Sequence, residues 1–148
     1  MMTAIKNEKG FTLTEGLISL FIISIVTTIS FTFLIHIHDY LRLNQIMTML
    51  TTDLHYIRDV NMIPMGQETR VSLRFYPQED KYVILSGNEI VKTRNFPNNI
   101  NLINNTGSNT ITFSEMGNLG QGRTLTFQSR FFTRLVVFSV GVGGFEVR

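Results

Sequence analysis

The chain has 148 residues, which gives room for one long helix and one modest globular domain. It contains no cysteine, so disulfides, thiolate metal sites and thiol nucleophiles are excluded. Its formal net charge of +2 at pH 7 is close to neutral, which argues against strong sequence-independent binding of nucleic acid through total charge.

The first ten residues are a short polar leader that carries Lys6 and Lys9. By the positive-inside tendency, this leader stays in the cytoplasm and the C-terminal part of the chain crosses the membrane. Ala4 is the only alanine and it precedes the apolar segment, so no small-residue cleavage site for the usual signal peptidase follows that segment. We therefore expect the apolar segment to be retained.

Residues 16–35 contain no charged side chain. As a helix, this stretch rises roughly 30 Å, which is the thickness of the hydrocarbon core of a bilayer. Glu15 lies at its edge, where a carboxylate costs up to about 3 kcal/mol at full depth and less near the interface. The pattern predicts a transmembrane helix over residues 11–37, with a carboxylate that requires a partner.

The run Gly10-Phe11-Thr12-Leu13-Thr14-Glu15, after a basic leader and before an apolar helix, resembles the class III signal of type IV pilins and type II secretion pseudopilins. In that family, a membrane-embedded aspartyl prepilin peptidase cuts after the glycine and methylates the new amino terminus. The resemblance implies cleavage between Gly10 and Phe11 and N-methylation of Phe11. It also implies that Glu15 pairs with the terminal amine of a neighbouring subunit during assembly.

Physical chemistry agrees with that pairing, since an ammonium beside a carboxylate in low dielectric is far better than an isolated carboxylate. Removal of the leader would leave 11 basic and 10 acidic side chains, a net charge of +1. The sequence departs from the family at one point. Many major pilins have a proline near the middle of this helix, where this chain has Thr32.

The helix is predicted to continue beyond the membrane as an amphipathic segment over residues 38–62. Apolar residues recur at helical spacing, at Leu43, Met47, Leu50, Leu54 and Ile57. Four charged residues fall off this stripe and are predicted to face water: Arg42, Asp53, Arg58 and Asp59. Pro64 and Gly66 end the pattern, so we expect one helix from about Phe11 to Met62, roughly 75–80 Å long.

Residues 63–148 are predicted to form an extracytoplasmic domain of six to seven short antiparallel strands, because alternation replaces helical periodicity after Gln67. Strands are expected at 70–76, 81–86, 89–96, 110–113, 124–127 and 131–140, with a further turn before a last strand. Turn residues separate them, including the cluster 77–80, a polar loop over 104–109 and the glycine-rich link 117–122. The expected fold class is α+β, a long helix packed on a small antiparallel sheet, with no second helix.

The C-terminal pattern is similar to the minor pseudopilins of competence pili in Gram-positive bacteria, and more loosely to the pseudopilin H type of secretion systems. The similarity rests on Thr110-Ile111-Thr112-Phe113, Gly117-Asn118, Gly122-Arg123-Thr124-Leu125 and a terminal Gly-Val-Gly element. It implies a minor pseudopilin needed for pilus assembly and uptake of external DNA during transformation. The implied partners are other major and minor pseudopilins, the prepilin peptidase, the membrane and, indirectly, DNA. The implied location is the cell membrane and, after processing, a cell-surface pilus.

Two other functions stay open. The same architecture could serve a type II-like protein secretion system, and neighbouring genes for a DNA receptor and channel or for an outer-membrane secretin would separate the two. A plain bitopic membrane protein that is never cleaved is the third possibility, but Glu15 would then be accidental.

Direct DNA contact is a weaker hypothesis. The last 31 residues carry four arginines against one acidic residue, with phenylalanines among them: Arg123, Arg130, Arg134, Arg148, Glu146, Phe127, Phe131 and Phe132. Of these, Arg123, Arg130 and Arg134 could contact single-stranded DNA beside the aromatic rings. The alternative, which the composition favours, places the phenylalanines in the sheet core and the arginines at its solvated edge.

Other features have ordinary structural interpretations. The run 141–144 is rich in glycine, but no helix follows it, so a turn is favoured over a phosphate loop. His36, His38, Asp39 and Tyr40 are interpreted as a polar belt at the membrane interface rather than a metal site, and His55 as solvated. Glu79 and Asp80 are adjacent turn residues, not an acid/base pair. The sequence predicts no enzyme, no metal site and no cofactor.

Overall fold

The computed structural model describes residues 11–63, 70–97, 99–104, 108–141 and 144–148, with the side chain of Asn104 excepted. The leader with Lys6, Lys9 and Gly10 lies outside the described residues, as do Pro64 and Gly66. The described chain divides into two compact units, one ending at Ile37 and the other beginning at His38.

Helix α1 spans Leu13–Asn61 and has 49 residues, which confirms the predicted helix to within two residues at either end. Its N-terminal part contains an 18-residue window of mean hydropathy 2.4, long and apolar enough to cross a membrane. None of that window is buried within the chain. Among the described residues, the apolar side chains of this window are therefore left uncovered.

The predicted apolar stripe of α1 is confirmed in the second unit. Leu43, Met47, Leu50, Leu54 and Ile57 are all buried, and Ile46 joins them. The prediction for Asp53 is wrong, because this carboxylate is also buried. Asp39, which was assigned to an interfacial belt, is buried as well.

The first antiparallel sheet has four strands in the order β3-β2-β1-β5. Its strands are β1 (Val71–Tyr76), β2 (Lys81–Ser86), β3 (Glu89–Asn95) and β5 (Thr110–Thr112), all within predicted strands. The expected turn after β1 is a 3₁₀ turn, Pro77–Glu79, followed by Asp80 in the left-handed region at φ 45°. The register of β2 on β3 shifts between Ile84 and Leu85, which marks a β-bulge.

The predicted antiparallel β domain is confirmed and contains a second sheet of four strands, in the order β4-β6-β7-β8. Its strands are β4 (Asn101–Asn104), β6 (Arg123–Gln128), β7 (Thr133–Phe138) and β8 (Phe145–Val147). Strand β4 was not predicted, and β7 is shorter than expected because residues 129–132 form the turn of the β6–β7 hairpin. Strands β5 and β6, on either side of the glycine-rich link, belong to different sheets.

A shared core lies among the second half of α1 and both sheets. An aromatic series crosses it, with ring centroids 5.8 Å apart between Phe75 and Tyr82, 5.6 Å between Tyr82 and Phe96, and 5.7 Å between Phe96 and Phe127. Such spacings favour tilted and edge-to-face contacts, which stabilise the core beyond simple burial. Phe127, one of the candidate DNA-stacking residues, is fully buried in this series.

Candidate processing and assembly site

The start of helix α1 is closed by reciprocal hydrogen bonds between Thr12 and Glu15. The backbone N–H of Thr12 donates to Glu15 Oε2 at 2.9 Å, and the Thr12 hydroxyl donates to the same oxygen at 2.7 Å. The Glu15 N–H donates to Thr12 Oγ1 at 3.3 Å. This arrangement is a capping box, which satisfies donors that the first turn of a helix leaves unpaired.

Phe11 lies just before this cap and outside the helix. Its side chain is 76% exposed, and its ring lies beside the first helical turn, since a Cβ placed on Gly16 would be 3.6 Å from Phe11 Cε1. Phe11 is therefore exposed and not held in the helix. A peptidase requires an accessible, non-helical backbone at its cleavage site.

The capping box leaves part of the Glu15 carboxylate available. Both hydrogen bonds to the side chain end on Oε2, and among the described residues Oε1 has no hydrogen-bond partner. A carboxylate oxygen has lone pairs for further donors, so Oε1 can accept an ammonium while Oε2 stays on Thr12. Sequence reasoning missed this role for Thr12, although Thr-x-x-Glu before an apolar run is a recognisable capping signature.

Comparison with known proteins agrees with this reading of the N-terminus. Residues 5–31 match the family model described as the prokaryotic N-terminal methylation motif. Among solved structures, the chain is similar to the type IV minor pilin FimU of Pseudomonas aeruginosa strain PAO1, with a TM-score of 0.53 and 15% sequence identity. The match covers 68% of this chain and 88% of FimU. The chain has the type IV pilin fold. No curated protein sequence matches it.

Two buried aspartates of α1 in the second unit are each surrounded by hydrogen-bond donors. Neither cluster was predicted. The first surrounds Asp39, which accepts hydrogen bonds from Ser129 Oγ at 2.7 Å, Asn99 Nδ2 at 2.9 Å and the Phe131 N–H at 3.1 Å. Burial alone would raise the pKa of Asp39, but these donors outweigh it and hold the pKa below its usual value. Asp39 thereby fastens α1 to the β6–β7 turn.

The second cluster surrounds Asp53. Its carboxylate accepts hydrogen bonds from Tyr82 Oη at 2.8 Å and Lys92 Nζ at 2.9 Å, and Arg94 Nε lies 3.3 Å away. Burial would raise the pKa of Asp53, but the hydrogen bond and the positive charge of Lys92 outweigh it and the net shift is downward. Burial and the neighbouring Asp53 carboxylate raise the pKa of the Tyr82 phenol. Asp53 thereby fastens α1 to strands β2 and β3.

The three candidate DNA-contact arginines do not form one patch. Arg123 begins β6, whereas Arg134 pairs with Phe127 near the other end of that strand. The Arg123 guanidinium donates to the carbonyls of Ser108 and Thr110, and burial lowers its pKa. Arg123 therefore links the two sheets, and its assignment as a DNA contact is not supported by this geometry.

Arg130 lies in the β6–β7 turn that Asp39 binds, and Arg134 is the second residue of β7 after that turn. The Arg130 guanidinium carbon is 5.2 Å from the centre of the Phe131 ring, and that of Arg134 is 5.7 Å from the centre of the Tyr40 ring.

His55 is exposed as expected, but its ring also packs on Phe145, with 4.8 Å between the two ring centroids. Within the described residues there is no group of three or more histidine, aspartate and glutamate side chains that could hold a metal ion.

Proposed function

We propose that this chain is a minor pseudopilin of a competence pilus, needed for pilus assembly and for uptake of external DNA during transformation. The observation that carries the proposal is an N-terminal methylation motif that leads directly into the long helix of a type IV pilin fold. Membrane anchoring and structural assembly follow from the same combination. The similarity of the C-terminal pattern to the competence minor pseudopilin ComGD of Gram-positive bacteria supports the competence role over protein secretion.

Processing is the first step of the proposal. A prepilin peptidase cuts between Gly10 and Phe11 and methylates the amine of Phe11. The leader charges Lys6 and Lys9 keep the leader on the cytoplasmic side, where the cut is made. The exposed, non-helical Phe11 supports this step, because its backbone precedes the capping box and is not held in the helix.

Assembly is the second step. Before the cut, the Phe11 nitrogen is part of a peptide bond and offers no ammonium, and the capping box with Thr12 satisfies part of the Glu15 carboxylate. After the cut, the ammonium of a neighbouring mature subunit can bind the remaining oxygen, which offsets burial of the carboxylate in the membrane. Assembly is thereby coupled to processing. Since tip subunits of the family sometimes lack this glutamate, its presence favours a position beneath another subunit.

The mature N-terminus tests the processing step. Co-expression with a prepilin peptidase is expected to shorten the chain by ten residues and to leave N-methylated Phe11, as read by mass spectrometry. Gly10→Leu is expected to block the cut, because a bulky side chain at that position obstructs an extended backbone in the protease cleft. An intact leader on the wild-type chain, in cells that process a known prepilin, would refute the proposal.

Deletion of the gene tests competence against secretion. We expect transformation frequency to fall to background while the secreted proteins are unchanged. Normal transformation with loss of a secreted protein would instead identify a pseudopilin of a secretion system. Normal levels of both, with an uncleaved leader, would identify a bitopic membrane protein. Direct DNA contact is not required, because assembly alone makes the protein necessary for uptake.

A further inference from the structure

Three arginines near the start of the second unit differ from the other basic residues that the structure describes. Six basic side chains pair with carboxylates: Arg58, Arg70, Lys81, Lys92, Arg94 and Arg148. Arg74 and Arg123 donate to Thr110 or to backbone carbonyls. Within the described part of the chain, Arg42, Arg130 and Arg134 have no carboxylate partner.

Aromatic and apolar side chains accompany these arginines. Phe131 is 42% exposed beside Arg130, and Tyr40 is 39% exposed beside Arg134. Leu41, on the same turn of α1, is 58% exposed. We name Tyr40, Arg130, Phe131 and Arg134 the arginine-aromatic patch, and the exposed Arg42 lies two residues after Tyr40 on α1. Positive charge and exposed rings in one place are the combination that suits a membrane interface, where rings enter the headgroup layer and guanidinium groups bind phosphate.

The position of the patch follows from the covalent chain. His38 directly follows the apolar segment, and Asp39 comes next. Because Asp39 binds the Phe131 N–H at 3.1 Å, the β6–β7 turn is held close to the first residues of the unit. The length of the Asp39 side chain, its hydrogen bond to Phe131 and the rise of one helical residue add up to about 8 Å. Phe131 therefore lies within about 8 Å of the His38 backbone. The polar layer of a bilayer extends roughly 5–8 Å beyond its hydrocarbon core, so the covalent chain keeps the turn within reach of that layer when the apolar segment spans the membrane.

We propose that the arginine-aromatic patch docks on the membrane surface and binds the phosphates of anionic phospholipids, with the Phe131 ring inserted at headgroup level. This inference rests on the membrane anchoring in the proposed function and adds a lipid partner for the globular unit. Asp39 is a positioning residue in this model, because it holds the turn that carries Arg130 and Phe131. The docked state would hold a subunit in the membrane before it enters a pilus.

Tryptophan reporters in the full-length chain test the proposal, because the protein has no native tryptophan. Phe131→Trp is reconstituted in vesicles of phosphatidylcholine, with and without phosphatidylglycerol, that contain lipids brominated near the headgroup. We expect blue-shifted emission and strong quenching, greater with phosphatidylglycerol. Tyr56→Trp is the matched control, since Tyr56 is 50% exposed further along α1 and is expected to stay unquenched.

The charge requirement is tested by Arg130→Ala/Arg134→Ala in the Phe131→Trp background. Each arginine removed is expected to lower the ratio of docked to undocked turn about fivefold, so the double variant lowers it about 25-fold on phosphatidylglycerol. Arg74→Ala/Arg148→Ala removes the same charge elsewhere and is expected to leave quenching unchanged. Equal loss from both double variants would overturn the proposed site.

A further reporter separates failure of this inference from failure of the proposed function. Phe21→Trp lies in the apolar segment and is expected to be quenched by lipids brominated deep in the acyl chain. If Phe21→Trp is not quenched, membrane anchoring itself is wrong, and the docking proposal falls with it. If Phe21→Trp is quenched but Phe131→Trp is not, only the docking proposal is overturned. A response of Phe131→Trp to single-stranded DNA and not to phosphatidylglycerol would overturn it in favour of DNA binding.

Discussion

The two halves of helix α1 have the same backbone geometry and opposite surroundings. In the first half Leu20 and Phe21 are 65% and 67% exposed, whereas in the second half Leu50 and Leu54 are buried. The first half is apolar on all sides and the second half only along one stripe, which is the difference between a helix covered by other molecules and a helix covered by its own chain. We expect the partner of the first half to be lipid or another subunit.

Loss of the charge in the first half is expected to have the largest effect. Glu15→Val should preserve membrane insertion and cleavage, because apolarity rises, but abolish cross-linking to other pilins and reduce transformation to background. The reason is that the mature subunit then offers no carboxylate for a neighbouring ammonium. Ser19→Val is the control, since it raises apolarity one turn further on without removing a charge. Wild-type cross-linking by Glu15→Val would show that the charge is not used for assembly.

A pair of leucine truncations compares the halves directly. Leu54→Ala leaves a cavity in the core and is expected to lower the free energy of unfolding of the second unit by about 2–5 kcal/mol. Leu20→Ala is expected to leave it unchanged, because Leu20 is an exposed residue of the first unit. Thermal unfolding of the full-length protein in detergent, followed by near-ultraviolet circular dichroism, measures both. Equal losses of unfolding free energy in Leu54→Ala and Leu20→Ala would mean that the two halves of α1 are not independent in stability.

Acid is expected to destabilise the second unit through Asp39 and Asp53. Their pKa values are lowered in the folded state, so the unfolded chain binds protons first as the pH falls. The stabilisation is complete above the unfolded pKa of about 3.9 and is lost as the pH falls through the folded values. Urea unfolding measured across acidic pH should show a free energy of unfolding that falls with a measurable slope as the pH is lowered. Asp39→Asn and Asp53→Asn should flatten it, whereas Asp59→Asn, on an exposed side chain, should not.

The smallest effect is expected at the helix cap. Thr12→Val removes the hydroxyl that bonds Glu15 and should destabilise the first turn of α1 by about 1 kcal/mol. Hydrogen exchange at the amides of that turn should rise several-fold, while exchange in the second unit stays the same. Ser19→Val, which removes a hydroxyl one turn beyond the capping box, serves as the control. An unchanged first turn in Thr12→Val would mean that the capping box contributes little.

Patterns that are local in sequence predicted most of the fold. The stripe from Leu43 to Ile57 fixed the helix, and alternation with clear turn residues located β1, β2 and β3. Strand β4 was missed because four residues with asparagine at both ends carry no alternating signal. The division into two sheets was missed because alternation does not specify which strands pair.

In the candidate site too, residues with a local sequence signal were predicted and residues with distant partners were not. Glu15 was found through its local motif, and its bond to Thr12 could have been found from the same four residues. Asp39 was placed in a polar belt at the membrane interface and Asp53 in water because their donors are distant in sequence. Ser129 lies 90 residues from Asp39, and Tyr82 lies 29 residues from Asp53. A charged residue is expected at the surface unless such a partner is known, and periodicity alone does not supply one.

The bond between Asp39 and Ser129 closes a loop of nearly the whole globular unit without a covalent link. Closing so long a segment costs chain entropy that grows only with the logarithm of its length, so a few charge-assisted hydrogen bonds help to offset the extra cost. Extracytoplasmic domains often fix such closures with a cross-link that needs an oxidising catalyst. This chain can close and reopen its loop at equilibrium, and its refolding should proceed equally well in the presence of a strong reductant.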